Sequence, residues 1–180
     1  MAQTALTIAG LGGQGSILAG VILGAAAVTY DGRYSVQTQA YSSELRGGFA
    51  ATWVIVSDEP VAFPRVTEPD VLVAQAQDSI TRFASRLKPG GSLIIDSDMV
   101  HEIPEGIERV FRVPATSVSR NELGAPVTAN MVMLGALWRV TDVVGREALQ
   151  KAIAANVPKG KEELNLKAFD RGVRAVEQSL

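Results

Sequence analysis

The chain has 180 residues, with 17 Lys plus Arg against 19 Asp plus Glu, a formal net charge of −2 and no long run of like charges. That length suits a single domain over residues 1–180 with a proper core, and that charge lacks the basic surface of a non-specific nucleic-acid binder. With no cysteine and one histidine, the chain cannot hold an iron–sulfur cluster on thiolates, a cysteine zinc site, a disulfide or a multi-histidine metal centre.

Ala5-Leu6-Thr7-Ile8-Ala9 is a short apolar run that predicts a buried strand. Gly10-Leu11-Gly12-Gly13-Gln14-Gly15 follows, and then a small, apolar run that predicts a buried helix from Gln14 or Ser16 to about Thr29. Strand, glycine turn and helix in that order form the Rossmann-like opening of a doubly wound α/β domain. Glycines there let a ligand approach the backbone, and the free N–H groups of the helix start favour an anion, most often a phosphate. Gly10, Gly12, Gly13, Gln14 and Gly15 are therefore candidate cofactor-binding residues. The G-x-G-x-x-G spacing also serves as a plain tight turn, so the rest of the chain must decide. Gly20, Gly24 and Ala27 share a helix face, which predicts close packing on a sheet. The longest apolar stretch, residues 17–28, is shorter than the roughly 20 needed to span a bilayer. The N-terminus has no basic start of a signal peptide, so a cytoplasmic protein without a membrane partner is expected.

Asp31-Gly32 is a turn, and Tyr34-Ser35-Val36-Gln37-Thr38-Gln39 predicts the second strand. A dinucleotide-binding chain would place an Asp or Glu near the end of that strand to hold the adenosine ribose. Gln37, Thr38 and Gln39 stand there instead, and the NAD reading loses most of its support. Tyr41-Ser42-Ser43-Glu44-Leu45-Arg46-Gly47-Gly48 comes next. If the first two strands are parallel, this loop lies at the same sheet end as the first glycine loop. Arg46, Gly47 and Gly48 then join the candidate anion site, because a guanidinium recognises phosphate or carboxylate through paired hydrogen bonds. The alternative is that Glu44 and Arg46 are solvated loop charges.

Residues 49–56 are the clearest strand, and Val61-Ala62-Phe63-Pro64 is expected to pair back on it, giving a mixed sheet. Residues 71–74, 92–96 and 107–113 are further strands, with a helix over 78–87 that carries Ile80, Phe83, Ala84 and Leu87 on one face. His101 falls in the loop 98–104 and reads as solvated rather than catalytic. The alternation predicts a three-layer α/β/α domain on a mostly parallel, mixed sheet. The last third is helical, over 114–122, 127–143, 148–155 and 161–179. No side chain from Met131 to Trp138 is charged. A helix apolar all round must be covered on all sides, which predicts a partner subunit over its far side and Met133 in that interface.

Four stretches together resemble the gamma subunit, or gamma domain, of the 2-oxoacid:ferredoxin oxidoreductases. They are the first glycine loop with Ala19-Gly20, the Tyr41–Gly48 loop, Pro69-Asp70-Val71-Leu72-Val73-Ala74, and Asn130-Met131-Val132-Met133-Leu134-Gly135 with Asn165, Ala168, Phe169 and Gly172. Ser42-Ser43 departs from the family's Gly-Pro in the second stretch. The resemblance implies oxidative decarboxylation of a 2-oxoacid with coenzyme A to acyl-CoA and carbon dioxide, two electrons passing to ferredoxin. Thiamine diphosphate, Mg and iron–sulfur clusters would sit on alpha, beta and delta subunits, leaving this chain a supportive role that includes contact with coenzyme A. No residue is assigned a catalytic role. Tyr41, Glu44, Asn130 and Met133 are the expected subunit contacts. Among substrates 2-oxoglutarate is preferred; the small subunit of an indolepyruvate enzyme, an NAD-type oxidoreductase and a nucleotide-binding regulatory module are the alternatives.

Overall fold

A computed structural model describes residues 3–42 and 48–177. Ser43, Glu44, Leu45, Arg46 and Gly47, which carry part of the predicted site, lie outside the described residues. Six strands form one sheet: β1 (Gln3–Leu11), β2 (Tyr34–Tyr41), β3 (Phe49–Ser57), β4 (Val71–Ala74), β5 (Ser92–Asp96) and β6 (Arg109–Val113). The helices are α1 (Ser16–Ala25, prolonged by a π turn over Ala26–Tyr30), α2 (Gln77–Phe83), α3 (Ala115–Ser117, prolonged over Val118–Glu122), α4 (Ala129–Thr141), α5 (Arg146–Asn156) and α6 (Glu162–Glu177).

The strand order is β2-β3-β1-β4-β5-β6. β3 runs against both of its neighbours, β1 and β2, while β1, β4, β5 and β6 pair in parallel. The sheet is therefore mixed and mostly parallel, as expected, and β1 and β2 point the same way. The antiparallel element differs from the expectation. Residues 61–64 form no strand; they are bracketed by Pro60 and Pro64, which lack the N–H a ladder needs, and Phe63 is 65% exposed. β3 is instead paired on both edges, which suits its nearly continuous burial.

The two sheet faces are unequally covered. On one, Leu6, Ile8, Val54, Val73 and Ile94 pack with side chains of α1, α4, α5 and α6. On the other, Ala9, Leu72, Leu93 and Ile95 pack with Ile80 and Phe83 of α2 and with Val100. The layers are three, as predicted, but the second helical layer is thin.

α4 corrects the interface expectation. Met131, Val132, Met133, Leu134, Ala136 and Leu137 are all buried by this chain alone, with α4 packed against β5, α1, α3 and α6. Met133 is 1% exposed and belongs to the chain's own core. The far side of α4 is covered by α6, at a crossing where Gly135 and Gly172 bring the backbones together. A β-carbon on Gly135 would collide with the Phe169 carbonyl, and one on Gly172 with the Val132 carbonyl. Charge counting along one helix cannot reveal such a crossing, because the covering surface is a glycine 37 residues away (172 against 135).

Two substitutions test this packing. Gly172→Ala should destabilise the chain by about 1–3 kcal/mol or more, since helix backbones rather than a flexible side chain must give way. Met133→Lys, which buries an unpaired charge, should leave no cooperative unfolding transition in urea; a Met133→Lys variant that folds normally would return this position to the surface.

Candidate functional site

The carboxyl ends of β1, β2, β4, β5 and β6 share one edge of the sheet, together with the start of β3. The strand order reverses between β1 and β4, and their following helices α1 and α2 pack on opposite faces. Such a switch point opens a crevice at the carboxyl ends of the strands, where ligands of open α/β sheets bind. The loop Gly10–Gly15 sits there.

Its shape is held by two glutamines. Gln14 Oε1 accepts the Leu11 N–H at 2.6 Å, and Gln14 Nε2 donates to the Gln75 carbonyl at 3.1 Å. Gln75, the residue after β4, donates from Nε2 to the Gln14 carbonyl at 3.3 Å and accepts the Ser16 hydroxyl on Oε1 at 2.7 Å. Ser16 and Gln75 are buried, so these neutral bonds satisfy groups that water cannot reach. Gly10 must lack a side chain, because a β-carbon would lie 2.5 Å from Gln14 Oε1 and 2.8 Å from Ser16 Oγ. Gly15 is left-handed, with φ 76°, and a β-carbon there would strike Asn130. Asn130 donates from Nδ2 to the Gly15 carbonyl at 3.3 Å. It is buried within the chain, and its place is behind the loop rather than at the subunit contact expected from the sequence.

Gly12 and Gly13 are exposed. The first bond back into α1 runs from the Ala19 N–H to the Gly15 carbonyl at 3.0 Å. The N–H groups of Ser16, Ile17 and Leu18 therefore have no partner within the helix, as at any α-helix start. Gly12 N–H donates to the Gly48 carbonyl at 2.7 Å. The first glycine loop and the end of the second are thus joined directly. Tyr41 closes β2 at the same edge and is 67% exposed, whereas Arg46, Gly47 and Glu44 fall outside the described residues. β3 separates the ends of β1 and β2, so the position where an NAD-binding chain would present its acid does not flank the glycine loop.

The sequence reading missed Gln75 and Asp96. Gln75 follows the buried strand β4 as an ordinary polar residue, and only the tertiary contact gives it a role. Asp96, at the end of β5, accepts the Thr116 hydroxyl at 2.6 Å and the Asp98 N–H at 3.1 Å, while Asp98 accepts the Ser117 N–H at 2.6 Å and its hydroxyl at 2.8 Å. The pair caps the start of α3. Burial pushes the Asp96 carboxyl above its usual range, against the lowering effect of the Thr116 and Asp98 hydrogen bonds. His101, whose backbone N–H donates to Gln77 Oε1, is exposed, in keeping with the solvated reading. Among the described residues no cluster of three or more His, Asp or Glu could hold a metal ion, and no helix is long and apolar enough to cross a membrane.

Residues 5–175 match the pyruvate ferredoxin/flavodoxin oxidoreductase family, and the chain belongs to it. Within that family it is a gamma subunit of a 2-oxoacid:ferredoxin oxidoreductase. It is 44% identical over 175 residues to the 2-oxoglutarate synthase subunit KorC of Methanocaldococcus jannaschii, covering 96% of this chain and 94% of that protein. The gamma subunit of a keto/oxoacid ferredoxin oxidoreductase from Geobacter sulfurreducens superposes with a TM-score of 0.90 at 39% identity, covering 99% of this chain and 98% of that one. A 2-oxoglutarate:ferredoxin oxidoreductase from Magnetococcus marinus, solved with 2-oxoglutarate, coenzyme A and succinyl-CoA bound, superposes with a TM-score of 0.86 at 25% identity. This chain covers 32% of that longer one, and 99% of itself is matched. The indolepyruvate-type alternative is not favoured.

The raised Asp96 pKa has a definite sign. A carboxyl that holds its proton more tightly in the folded state than in the unfolded one contributes less to stability as pH rises from about 4 through its raised value. Relative to Asp96→Asn, which cannot titrate, the natural chain should therefore lose stability over that window. Urea unfolding of both proteins at several pH values checks this; a difference that grows in favour of Asp96 with pH contradicts it.

Proposed function

We propose that this gamma subunit serves an oxidoreductase acting on 2-oxoglutarate, and that its glycine loop takes a phosphate of coenzyme A. The observation that carries the site is the Gly12-to-Gly48 hydrogen bond of 2.7 Å. It sets the end of the Arg46 loop beside the first glycine loop, which leads into the free N–H groups at the start of α1. Those groups supply direction and partial positive charge for an anion, and Arg46 supplies a full charge. The substrate reading is supported by the KorC relative and by the Magnetococcus enzyme, whose bound ligands include coenzyme A.

The overall reaction converts 2-oxoglutarate and coenzyme A to succinyl-CoA and carbon dioxide, with two electrons passed to ferredoxin and one proton released. Thiamine diphosphate with Mg would supply the decarboxylation and iron–sulfur clusters the electron path. This chain has no cysteine to ligate a cluster. Those groups are assigned to the alpha, beta and delta subunits, and the task left here is to hold the nucleotide end of coenzyme A so that its thiol end reaches the reacting centre. Tyr41 and Glu44 are assigned to subunit contacts.

Two outcomes follow. Purified alone, the chain should reduce no viologen dye with any 2-oxoacid plus coenzyme A; measurable turnover by the pure chain contradicts the subunit role. In the assembled complex, Arg46→Ala should lower coenzyme A affinity by about 1.5–3 kcal/mol, roughly tenfold to a hundredfold, with subunit stoichiometry unchanged. Loss of stoichiometry with unchanged affinity would make Arg46 a subunit contact, and no change in either would make it a solvated loop charge.

A further inference from the structure

The apolar helix that this chain leaves uncovered is α1. Gly20 and Gly24 lie on the sheet beside Thr52 and Ser35, and Ala19, Ile22, Leu23 and Ala26 face the core. Leu18 and Val21, three residues apart, occupy the remaining flank, and Val28 follows in the π turn beyond it. Leu18 and Val21 are each 37% exposed and Val28 54%. A surface helix normally carries charge on its outer side; residues 16–30 carry none.

The neighbouring surface has the same character. Among the described residues β2 is an edge strand, paired only with β3. Its eight residues, YSVQTQAY, include no charge, no proline and no glycine, so it lacks the usual protection of a free edge. Of the eight large hydrophobic side chains exposed among the described residues, six fall between residues 18 and 41: Leu18, Val21, Val28, Tyr30, Tyr34 and Tyr41. The charges within residues 3–42 are Asp31 and Arg33. Both are bound within the chain, Arg33 to Asp58 at 2.8 Å and Asp31 to the Gly145 N–H at 3.2 Å. A patch with aromatic residues and almost no charge has the composition of an interface centre.

We infer that the outer flank of α1, with the adjoining edge of β2, docks onto a neutral, apolar surface of a neighbouring subunit in the oxidoreductase. The longer Magnetococcus chain supports that occupant. There the whole of this fold makes up about a third of one polypeptide, so it is continuous with further protein. The KorC subunit, 94% of whose length this chain covers, carries the same fold without that further protein; such a subunit meets the corresponding protein without a covalent link, through the surface least suited to water. The inference rests on the multisubunit reading above and deepens it by naming the face.

The test is Val21→Lys with Val28→Lys, singly and together, in the chain co-expressed with its cognate subunits. Both positions are partly solvated and a lysine stem can lie along the helix with its charge in water, so circular dichroism and thermal unfolding of the isolated variants should match the natural chain. Thr81→Lys on α2, an exposed position on the opposite layer, controls for added charge. The double variant should co-purify with the other subunits more than about tenfold less well, with Thr81→Lys unaffected. Undiminished assembly of the double variant overturns the proposal. So does a natural chain that self-associates in isolation, becomes monomeric on double substitution, and still assembles fully, for then the face meets a second copy. If the natural chain itself fails to enter the complex, the multisubunit reading fails first and the docking face falls with it.

Discussion

The carboxyl edge of the sheet depends on a neutral clasp across one strand boundary. Gln14 and Gln75 exchange side-chain and backbone hydrogen bonds between the loop after β1 and the residue after β4, and Ser16 ties the start of α1 to the same point. β1 and β4 are where the sheet changes winding direction. Without a tie, two backbone ends diverging to opposite faces would leave unpaired polar groups in a buried crevice. With it, the side-chain and backbone groups of Gln14, Ser16 and Gln75 satisfy one another. The clasp bears no charge, so it neither repels nor neutralises an anion at the loop. Asn130 extends the same logic from α4, and its contact explains why Gly15 admits no side chain.

The outline of this molecule was legible in the sequence because its strands are short apolar runs bounded by glycine, proline and acidic turns. The glycine loop and the buried interior strands β4 and β5 follow from that pattern; the common direction of β1 and β2 was only a condition there, and pairing of both with β3 supplies it. The insertion of β3 between β1 and β2 does not. It is a register decision between long-range partners, and the proline-bracketed segment 61–64 looked like a partner only when its exposure was unknown.

The two apolar helices show the limit more sharply. α1 and α4 have similar composition, and both read as buried. α4 is covered inside the chain by a glycine crossing with α6, whereas α1 keeps an uncharged flank in solvent. The rule that an apolar helix needs cover on every side was met within the chain by α4 alone. What composition could not tell was which helix finds its cover at home. The candidate site was similarly half visible: the glycine loop showed in its spacing, while Gln75 is one of many polar residues until the fold brings it to Gln14.

The positioning role we propose for the glycine loop rests on a neutral, paired clasp behind an exposed turn. The most direct measurement is a structure of the assembled oxidoreductase with coenzyme A bound. A phosphate of coenzyme A should lie within about 2.7–3.2 Å of backbone N–H groups between Gly13 and Leu18, with the Gln14–Gln75 bonds intact. Coenzyme A held wholly by other subunits, with this loop facing solvent or protein, would contradict the positioning role.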